Sequence, residues 1–351
     1  KIRKSILMYI NNNYIRYGEL NLEDFFALKD CTDDVLKKLA DLNKTIERLI
    51  KTVNLKDEPN IKTGDHCKKP FICEYNSHCS PMVSKYPVKD IFNSGKKLNW
   101  LIDDGIEDLK DVPKDFKMTE REAIAVGSVK KNKAYLNKKA IKEFLNELTF
   151  PLYYLDYETI FPAIPLFDNS KPYQQVPFQY SLHIQNEISG PLKHLEFLHI
   201  ETTDPRPTFI QNLINDCGES GSIIVYNKAF ESRVNKELAE NFPEWNKELL
   251  SISGRMIDLL VPFRSRIIYH PKMRGSASIK NVLPAFAPHL KYDNLEIKEG
   301  VSASLEYLKC LKNIVNESEK KRIYKNLKKY CELDTYAEVV LLEYLFKNTY
   351  I

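Results

Sequence analysis

Apolar and charged positions alternate at helical spacing from Asp34 to Val53. Val35, Leu36, Leu39, Leu42, Ile46, Leu49 and Ile50 recur every three or four residues, which predicts a helix. Ile6 to Tyr17 is short and β-branched or aromatic, and reads as a strand before the break at Gly18; the rest of residues 1–60 is expected to be mostly helical. Residues 82–148 carry much Lys and Asp, with short helical patterns and no obvious strand, and read as a helical connector. The texture changes at Pro151. Leu152 to Leu155, Phe178 to Ile184, Leu192 to Ile200 and Ser222 to Tyr226 are strand candidates, with a hairpin break at Gly190-Pro191. Pro207 to Cys217 and Phe230 to Leu238 read as helices. After Ile257 the chain is mainly helical, ending in a long helix from about Glu317 to Phe346. Three early strands followed by alternating helix and strand predict an α/β fold, a mixed sheet flanked by helices.

Composition adds limits rather than a function. The 351 residues suggest two domains or slightly more, and 43% hydrophobic with 28% charged residues is ordinary for a globular chain. No apolar run reaches the ~18 residues of a membrane span, and no secretory signal opens the chain. The start at Lys1-Ile2-Arg3, without Met, suggests a fragment. A net charge of +4 decides little, because a basic path for phosphates and an acidic pocket for metals cancel in the sum. Seven cysteines and no export signal favour reduced thiols or metal ligands over disulfides, and a cytoplasmic location.

The chemistry lies in the carboxylates. Asp156-Tyr157-Glu158 follows a strand, where residues i and i+2 share a face. Two carboxylates so placed repel unless a cation sits between them, and hard ions such as Mg²⁺ or Mn²⁺ take oxygen ligands of this kind. Solvent-facing acids are the plain alternative. Glu231, in Asn227-Lys228-Ala229-Phe230-Glu231, falls near the first turn of a helix after a strand; a carboxylate favoured by the helix dipole explains it equally well when taken alone. Tyr330 and Asp334 lie four apart on the last helix and share a face. Asp334 sits among Leu333, Ala337, Val339 and Val340, so it either faces out or needs a partner such as a metal.

In this order, Asp-x-Glu at a strand end, Asn-x-x-Phe-Glu after a later strand and Tyr-x-x-x-Asp in a terminal helix resemble the DEDD superfamily of 3′–5′ exonucleases, in its tyrosine branch. The resemblance covers about residues 149–351 and implies a ribonuclease H-like sheet. It implies that Asp156, Glu158 and Asp334 hold one Mg²⁺ or Mn²⁺, that Asp156 bridges to a second, and that Glu231 assists through a water. Two such ions stand ~3.5–4 Å apart and clamp the oxygens of an in-line displacement. Tyr330 would orient the attacking water, with Asn227 and Phe230 at the nucleic acid. Glu231 departs from the pattern, which has Asp there, and this bears on second-metal binding. The substrate implied is single-stranded DNA or RNA. The rival reading is a catalytically weak nucleic-acid-binding module; a third is an adaptor bearing a metal cluster, with vestigial acidic sites.

Tyr173-Gln174-Gln175-Val176-Pro177-Phe178-Gln179-Tyr180-Ser181, Ile257-Asp258-Leu259, Gly275-Ser276-Ala277-Ser278-Ile279-Lys280 and Tyr330-Cys331-Glu332-Leu333-Asp334-Thr335 resemble a bacterial family in which this domain follows a RecB-like nuclease module. Ser278 and Lys280, after a Gly loop and at a helix start, suit either a phosphate or a simple N-cap. Phe178 and Tyr180 are candidates for base stacking, though one of them is expected in the core.

Cys67, Cys73 and Cys79 are spaced C-x₅-C-x₅-C, with Pro70 and Pro81 nearby, which fits zinc knuckles poorly. His66 to Cys79 resembles the C-terminal edge of RecB-like nucleases, whose three late cysteines and one early cysteine hold a [4Fe–4S] cluster. Four ligands are normally required, and neither Cys31 nor His66 is an obvious fourth, so a [4Fe–4S] or Zn site would be incomplete here. Unmetallated thiols are the alternative. Cys217, Cys310 and Cys331 read as packing residues. Residues 1–81 are thus expected to be a remnant of the RecB-like module, 82–148 the connector and 149–351 the exonuclease-like domain. In the connector, Leu101 to Val112 resembles half of a helix-hairpin-helix, or a Gly turn between ordinary helices. Lys130-Lys131-Asn132-Lys133, Lys138-Lys139, Lys320-Lys321-Arg322 and Lys328-Lys329 are either phosphate tracks or solvated helix faces. Lys328 and Lys329 are the better candidates for nucleic acid, because they share a helix with Tyr330 and Asp334.

Overall fold

The computed structural model describes residues 3–59, 61, 65–67, 69, 71–79, 84–92, 95–292 and 295–350. They fall into two compact units, one of residues 1–83 with 162–174 and one of residues 84–161 with 175–351.

In the first unit, a strand Ile6–Ile10 pairs antiparallel with Phe26–Asp30. The strand ends sooner than the β-branched run to Tyr17 suggests: Asn11 turns the chain, its carbonyl accepting the Tyr14 N–H at 3.0 Å. Helix Thr32–Val53 follows, as the spacing predicts. Its apolar stripe remains exposed at Leu36, Leu49 and Ile50. Arg16 ties in the returning segment by donating to the carbonyls of Pro165 and Leu166.

The second unit is built on five strands: β1 (Leu152–Ile160), β2 (Val176–Gln185), β3 (Leu192–Leu198), β4 (Ser222–Val225) and β5 (Met256–Asp258). Their order is β3-β2-β1-β4-β5. β1 to β3 form an antiparallel meander, whereas β4 runs parallel to β1 and β5 parallel to β4. This is the expected mixed sheet flanked by helices. The helices that matter for the site are α1 (Arg206–Cys217), α2 (Lys228–Asn241), α3 (Asn246–Gly254), α4 (Ile279–Phe286), α5 (Gly300–Leu311) and α6 (Glu317–Tyr350).

β1 is almost wholly buried, and its alternation sorts two different environments. Tyr153, Leu155 and Tyr157 join Tyr180 and Leu182 of β2 in an apolar cluster with Phe209, Leu213, Val234, Leu238, Leu249 and Ile252 from α1, α2 and α3. The opposite face, with Tyr154, Asp156 and Glu158, is polar and is covered by α6. Tyr154 donates to Gln185, which donates to Glu343 of α6 at 2.9 Å. Ser181, opposite Asp156 in the register, meets Thr335 of α6 at 2.7 Å. One long helix is therefore registered on the sheet by polar contacts.

Residues 84–148 do not stand apart as a connector but belong to the second unit. Leu101, Leu109, Val112, Val129 and Ile141 are buried, and Arg274 pairs with Asp90 at 2.8 Å. They also contain a short strand, Tyr135–Leu136, paired with Ile268–Tyr269, which two residues of side-chain pattern cannot announce. Helix Lys96–Asp103 is followed by the Gly105 turn and not by a second helix, so the helix-hairpin-helix resemblance has no structural counterpart.

Gly221, at the entry to β4, has φ +89° and leaves no room for a side chain: a Cβ would lie 2.1 Å from the Pro151 carbonyl oxygen. Gly221→Ala is expected to destabilise the protein by at least about 1–3 kcal/mol. Gly254→Ala, where a Cβ meets open space at the end of α3, is expected to leave stability unchanged or raised by up to about 1 kcal/mol. Urea denaturation of both variants checks the contrast.

Candidate metal centre

The parallel pairing of β4 with β1 sets the site. It brings the end of β4, and the start of α2 that follows, toward Asp156 and Glu158, which lie within β1 rather than beyond a strand end at Leu155 as expected, because pairing with β2 carries the strand on to Ile160. In open α/β sheets the carboxyl ends of the strands are where ligands bind. α6, laid across the polar face, contributes Asp334. Carboxylate oxygens of Asp156, Glu158 and Asp334, one from each, lie within 4.8 Å of one another. The solvent-facing alternative fails for two of them, because Glu158 is 6% and Asp334 8% exposed.

The surroundings are consistent with a charged centre held in a desolvated place. Burial pushes the carboxyls of Asp156 and Glu158 well above the usual range, and the neighbouring carboxylates push them further. Asp334 is raised to about 6 by burial, opposed by hydrogen bonds from Tyr292 and Tyr330 and by the charge of Lys280. Tyr292 donates to Asp334 Oδ1 at 2.6 Å. The Lys280 ammonium lies beside the rings of Tyr292 and Tyr330, 5.8 and 5.7 Å from their centroids, and donates to the Lys298 carbonyl. The first residue of α5, Gly300, abuts Glu158, its Cβ position lying 3.7 Å from Oε2. A helix N-terminus there favours negative charge.

Glu231 reaches the same region from the first turn of α2. It is 2% exposed, and one of its oxygens has no hydrogen-bond partner. Burial and the charge of Asp156 raise its pKa. The helix-dipole account of Glu231 fits its place in the first turn but does not supply a partner for the buried oxygen.

Three participants escaped the sequence reading. Glu338 follows Asp334 by one helical turn, is 1% exposed, and also carries an unpartnered oxygen. Burial, then Asp156, Glu231 and Asp334, raise its pKa. Its spacing from Asp334, within the same apolar run, was a legible signal. Tyr292 lay in a stretch without pattern. Cys331 is more than a packing residue: its thiol donates toward Asp156 at 3.7 Å, and burial keeps it protonated.

The expected nucleic-acid contacts scatter. Lys280 joins the centre. Ser278 occupies the N-cap position of α4, but its hydroxyl makes no capping bond. Asn227 is exposed and left-handed, its backbone N–H bound to Asp258. Phe230 is half-buried, with the Arg233 guanidinium 5.7 Å from its centroid. Lys328 pairs with Glu196 at 2.7 Å, and Lys328 and Lys329 line an open hollow of about 500 Å³ with Lys321 and Lys325. Phe178 and Tyr180 are both fully buried: Phe178 stacks on Tyr307, and Tyr180 binds Asp216 at 2.6 Å, so neither can receive a base.

Cys67 is buried, whereas Cys73 and Cys79 are exposed. The Cys73 N–H donates to the Cys67 carbonyl, which brings their backbones together. Among the described residues, the cysteines are in neither of the two side-chain groups gathered closely enough for a metal. Gly64, Lys68, Pro70 and Pro81 of this stretch lie outside the described residues. No described helix is long and apolar enough to cross a membrane.

Residues 153–278 match the family model of a domain of unknown function, DUF2779. The chain is 28% identical over 222 residues to the uncharacterized protein MG366 of Mycoplasma genitalium, covering 58% of this chain and 33% of the relative. It is 30% identical over 216 residues to the uncharacterized protein UU173 of Ureaplasma parvum, covering 56% and 31%. An MG366 homolog of Mycoplasma pneumoniae aligns with 96% of this chain and 58% of its own length at 24% identity. The chain thus spans about a third of the first two relatives and just over half of the third. No solved structure matches.

The Glu338 carboxyl gives a pH prediction. Its folded-state pKa is raised, so at low pH the proton is held in both states and nothing is lost. As pH rises, the unfolded chain ionises first and metal-free stability falls. Each unit of separation is worth about 1.4 kcal/mol. Glu338→Gln is therefore expected to stabilise metal-free protein at pH 8 and to leave it nearly unchanged at pH 4. Urea denaturation in chelator at the two pH values measures the difference.

Proposed function

We propose that this protein is a metal-dependent 3′–5′ exonuclease acting on single-stranded nucleic acid. The observation that carries the reading is the convergence of Asp156 and Glu158 with Asp334, distant in sequence, on one largely buried oxygen cluster. The donor set fits a hard divalent ion, because it is all carboxylate. The unpartnered oxygens of Glu231 and Glu338 beside it fit a second. The mixed sheet order, with the terminal helix laid across its polar face, supports the ribonuclease H-like resemblance.

Two bound Mg²⁺ or Mn²⁺ ions would supply charge to activate a water and to stabilise the leaving oxygen. Asp156, Glu158 and Asp334 would hold the first, and Asp156 with Glu231 the second. Tyr330, one turn before Asp334 on α6, orients the attacking water from the centre's edge. Lys280, half-buried beside the carboxylates, meets the negative charge of the phosphodiester. Asp156, half-buried where the rest of β1 is buried, is the side from which a strand end would enter. Lys321, Lys325, Lys328 and Lys329 track the phosphates behind it.

Incubation of 5′-labelled single-stranded DNA and RNA with Mn²⁺ is expected to give a ladder shortened from the 3′ end. Asp156→Ala and Asp334→Ala abolish it, and Tyr330→Phe slows it by about 10²-fold or more, the scale of a positioned proton-handling group. Degradation indifferent to Asp156→Ala contradicts the assignment. Binding without degradation by the wild type would instead favour a nucleic-acid-binding module.

A further inference from the structure

A second cluster of possible ligands lies beside the carboxylate centre but is chemically unlike it. The β2–β3 register sets His183 directly opposite His194. Their rings stack at 4.5 Å. α6 passes over the pair and presents Glu332 and, one turn later, Thr335. A ligand atom from each of His183, His194 and Glu332 lies within 4.8 Å of the others. His183 is 5% exposed. The His194 and Glu332 side chains are 25% and 51% exposed, so the group is closed toward the core and open toward solvent.

The hydrogen bonds around the rings decide where their protons sit. Thr335 Oγ1 lies 3.2 Å from the Glu332 carbonyl, an acceptor only, so the threonine proton goes there. The Thr335 oxygen then accepts, from His183 Nδ1 at 2.9 Å and from the Ser181 hydroxyl at 2.7 Å. Ser181, having given its proton away, accepts from His194 Nε2 at 2.9 Å. With both rings neutral, the chain leaves His183 Nε2 and His194 Nδ1 as bare lone pairs. His194 Nδ1 faces Glu332 at 4.0 Å. Metal-binding histidines are held this way, each ring fixed by a hydrogen bond from its far nitrogen. Two imidazoles and one carboxylate, with an open side, form the ligand set of an accessible zinc site. Imidazole also favours zinc-class ions over the hard ions of an all-oxygen centre.

We propose that His183, His194 and Glu332 form a separate binding site for a zinc-class divalent cation, with Ser181 and Thr335 orienting the two imidazoles. The open coordination position faces the lysine-lined hollow to which His194 and Glu332 themselves contribute. The site is independent of the nuclease reading, since none of its three ligands is shared with the carboxylate centre.

The test is zinc content and affinity of the full chain. Protein stripped with chelator is reloaded with Zn²⁺ and desalted, its zinc is measured by mass spectrometry, and its affinity by competition with a chromophoric chelator. Wild type is expected to retain one more ion per chain than His194→Ala and Glu332→Gln. Both residues are partly exposed, so these variants are expected to fold, and circular dichroism of each checks it. In an Asp156→Asn background, which disables the carboxylate centre, His194→Ala is expected to remove the same one zinc ion per chain. Thr335→Val, which removes the orienting hydroxyl, is expected to weaken zinc about 10–100-fold. Any zinc at the cysteines is common to all variants and cancels. Equal zinc content and affinity in wild type, His194→Ala and Glu332→Gln overturns the proposal. So does equal zinc content with and without His194→Ala in the Asp156→Asn background, which would place the ion in the carboxylate centre.

Discussion

Burying like charges is the constraint around which the second unit is arranged. Asp156, Glu158, Glu231, Asp334 and Glu338 share one region, and four of the five are less than 9% exposed. Taking an isolated carboxylate out of water costs several kcal/mol, and neighbours of the same sign add to this. The chain supplies partial compensation: the Lys280 ammonium, the Tyr292 and Tyr330 hydroxyls, the Cys331 thiol and the N-terminus of α5. One ammonium against five carboxyls does not balance them. The group either holds protons, which the upward pKa shifts describe, or holds cations, which releases those protons. A protein that needed only stability would have filled these positions with apolar side chains, which are often at least as stable.

The rest of the architecture serves to bring those groups to one edge. β1 presents apolar side chains to α1, α2 and α3 and polar ones to α6, a division that follows from the two-residue period of a strand. The parallel pairing of β4 delivers Glu231. α6 delivers Asp334 and Glu338, and it is held in register by Thr335 on Ser181 and His183 and by Glu343 on Gln185. The same register that seats Asp334 seats Glu332 over the histidine pair. The two groups of ligands are thus consequences of one helix-on-sheet fit.

Much of this was legible along the chain, for identifiable reasons. The strand at Leu152, the long last helix and the Asp-x-Glu, Asn-x-x-Phe-Glu and Tyr-x-x-x-Asp spacings are local signals, although the strand runs on through Asp156 and Glu158 to Ile160 instead of ending before them. Glu338 was equally local, and only the focus on a known spacing hid it. Tyr292, Lys280 beside Glu158, and the opposition of His183 to His194 depend on tertiary placement, which no local period encodes. Tyr135–Leu136 is too short to show a period. The aromatic pair Phe178 and Tyr180 was misread because an alternating strand looks the same whether its outer neighbour is a base or Tyr307. The cysteine stretch contributes least, since its spacing fits no complete ligand set and no such set forms among the described residues.

The central claim, that the buried carboxylates are a site for divalent cations, is tested most directly by anomalous diffraction from crystals soaked in Mn²⁺. The account predicts an anomalous peak among the oxygens of Asp156, Glu158 and Asp334, and a second on the side of Asp156 facing Glu231 and Glu338. Absence of any peak, with the Lys280 ammonium seated among those carboxylates instead, would contradict it.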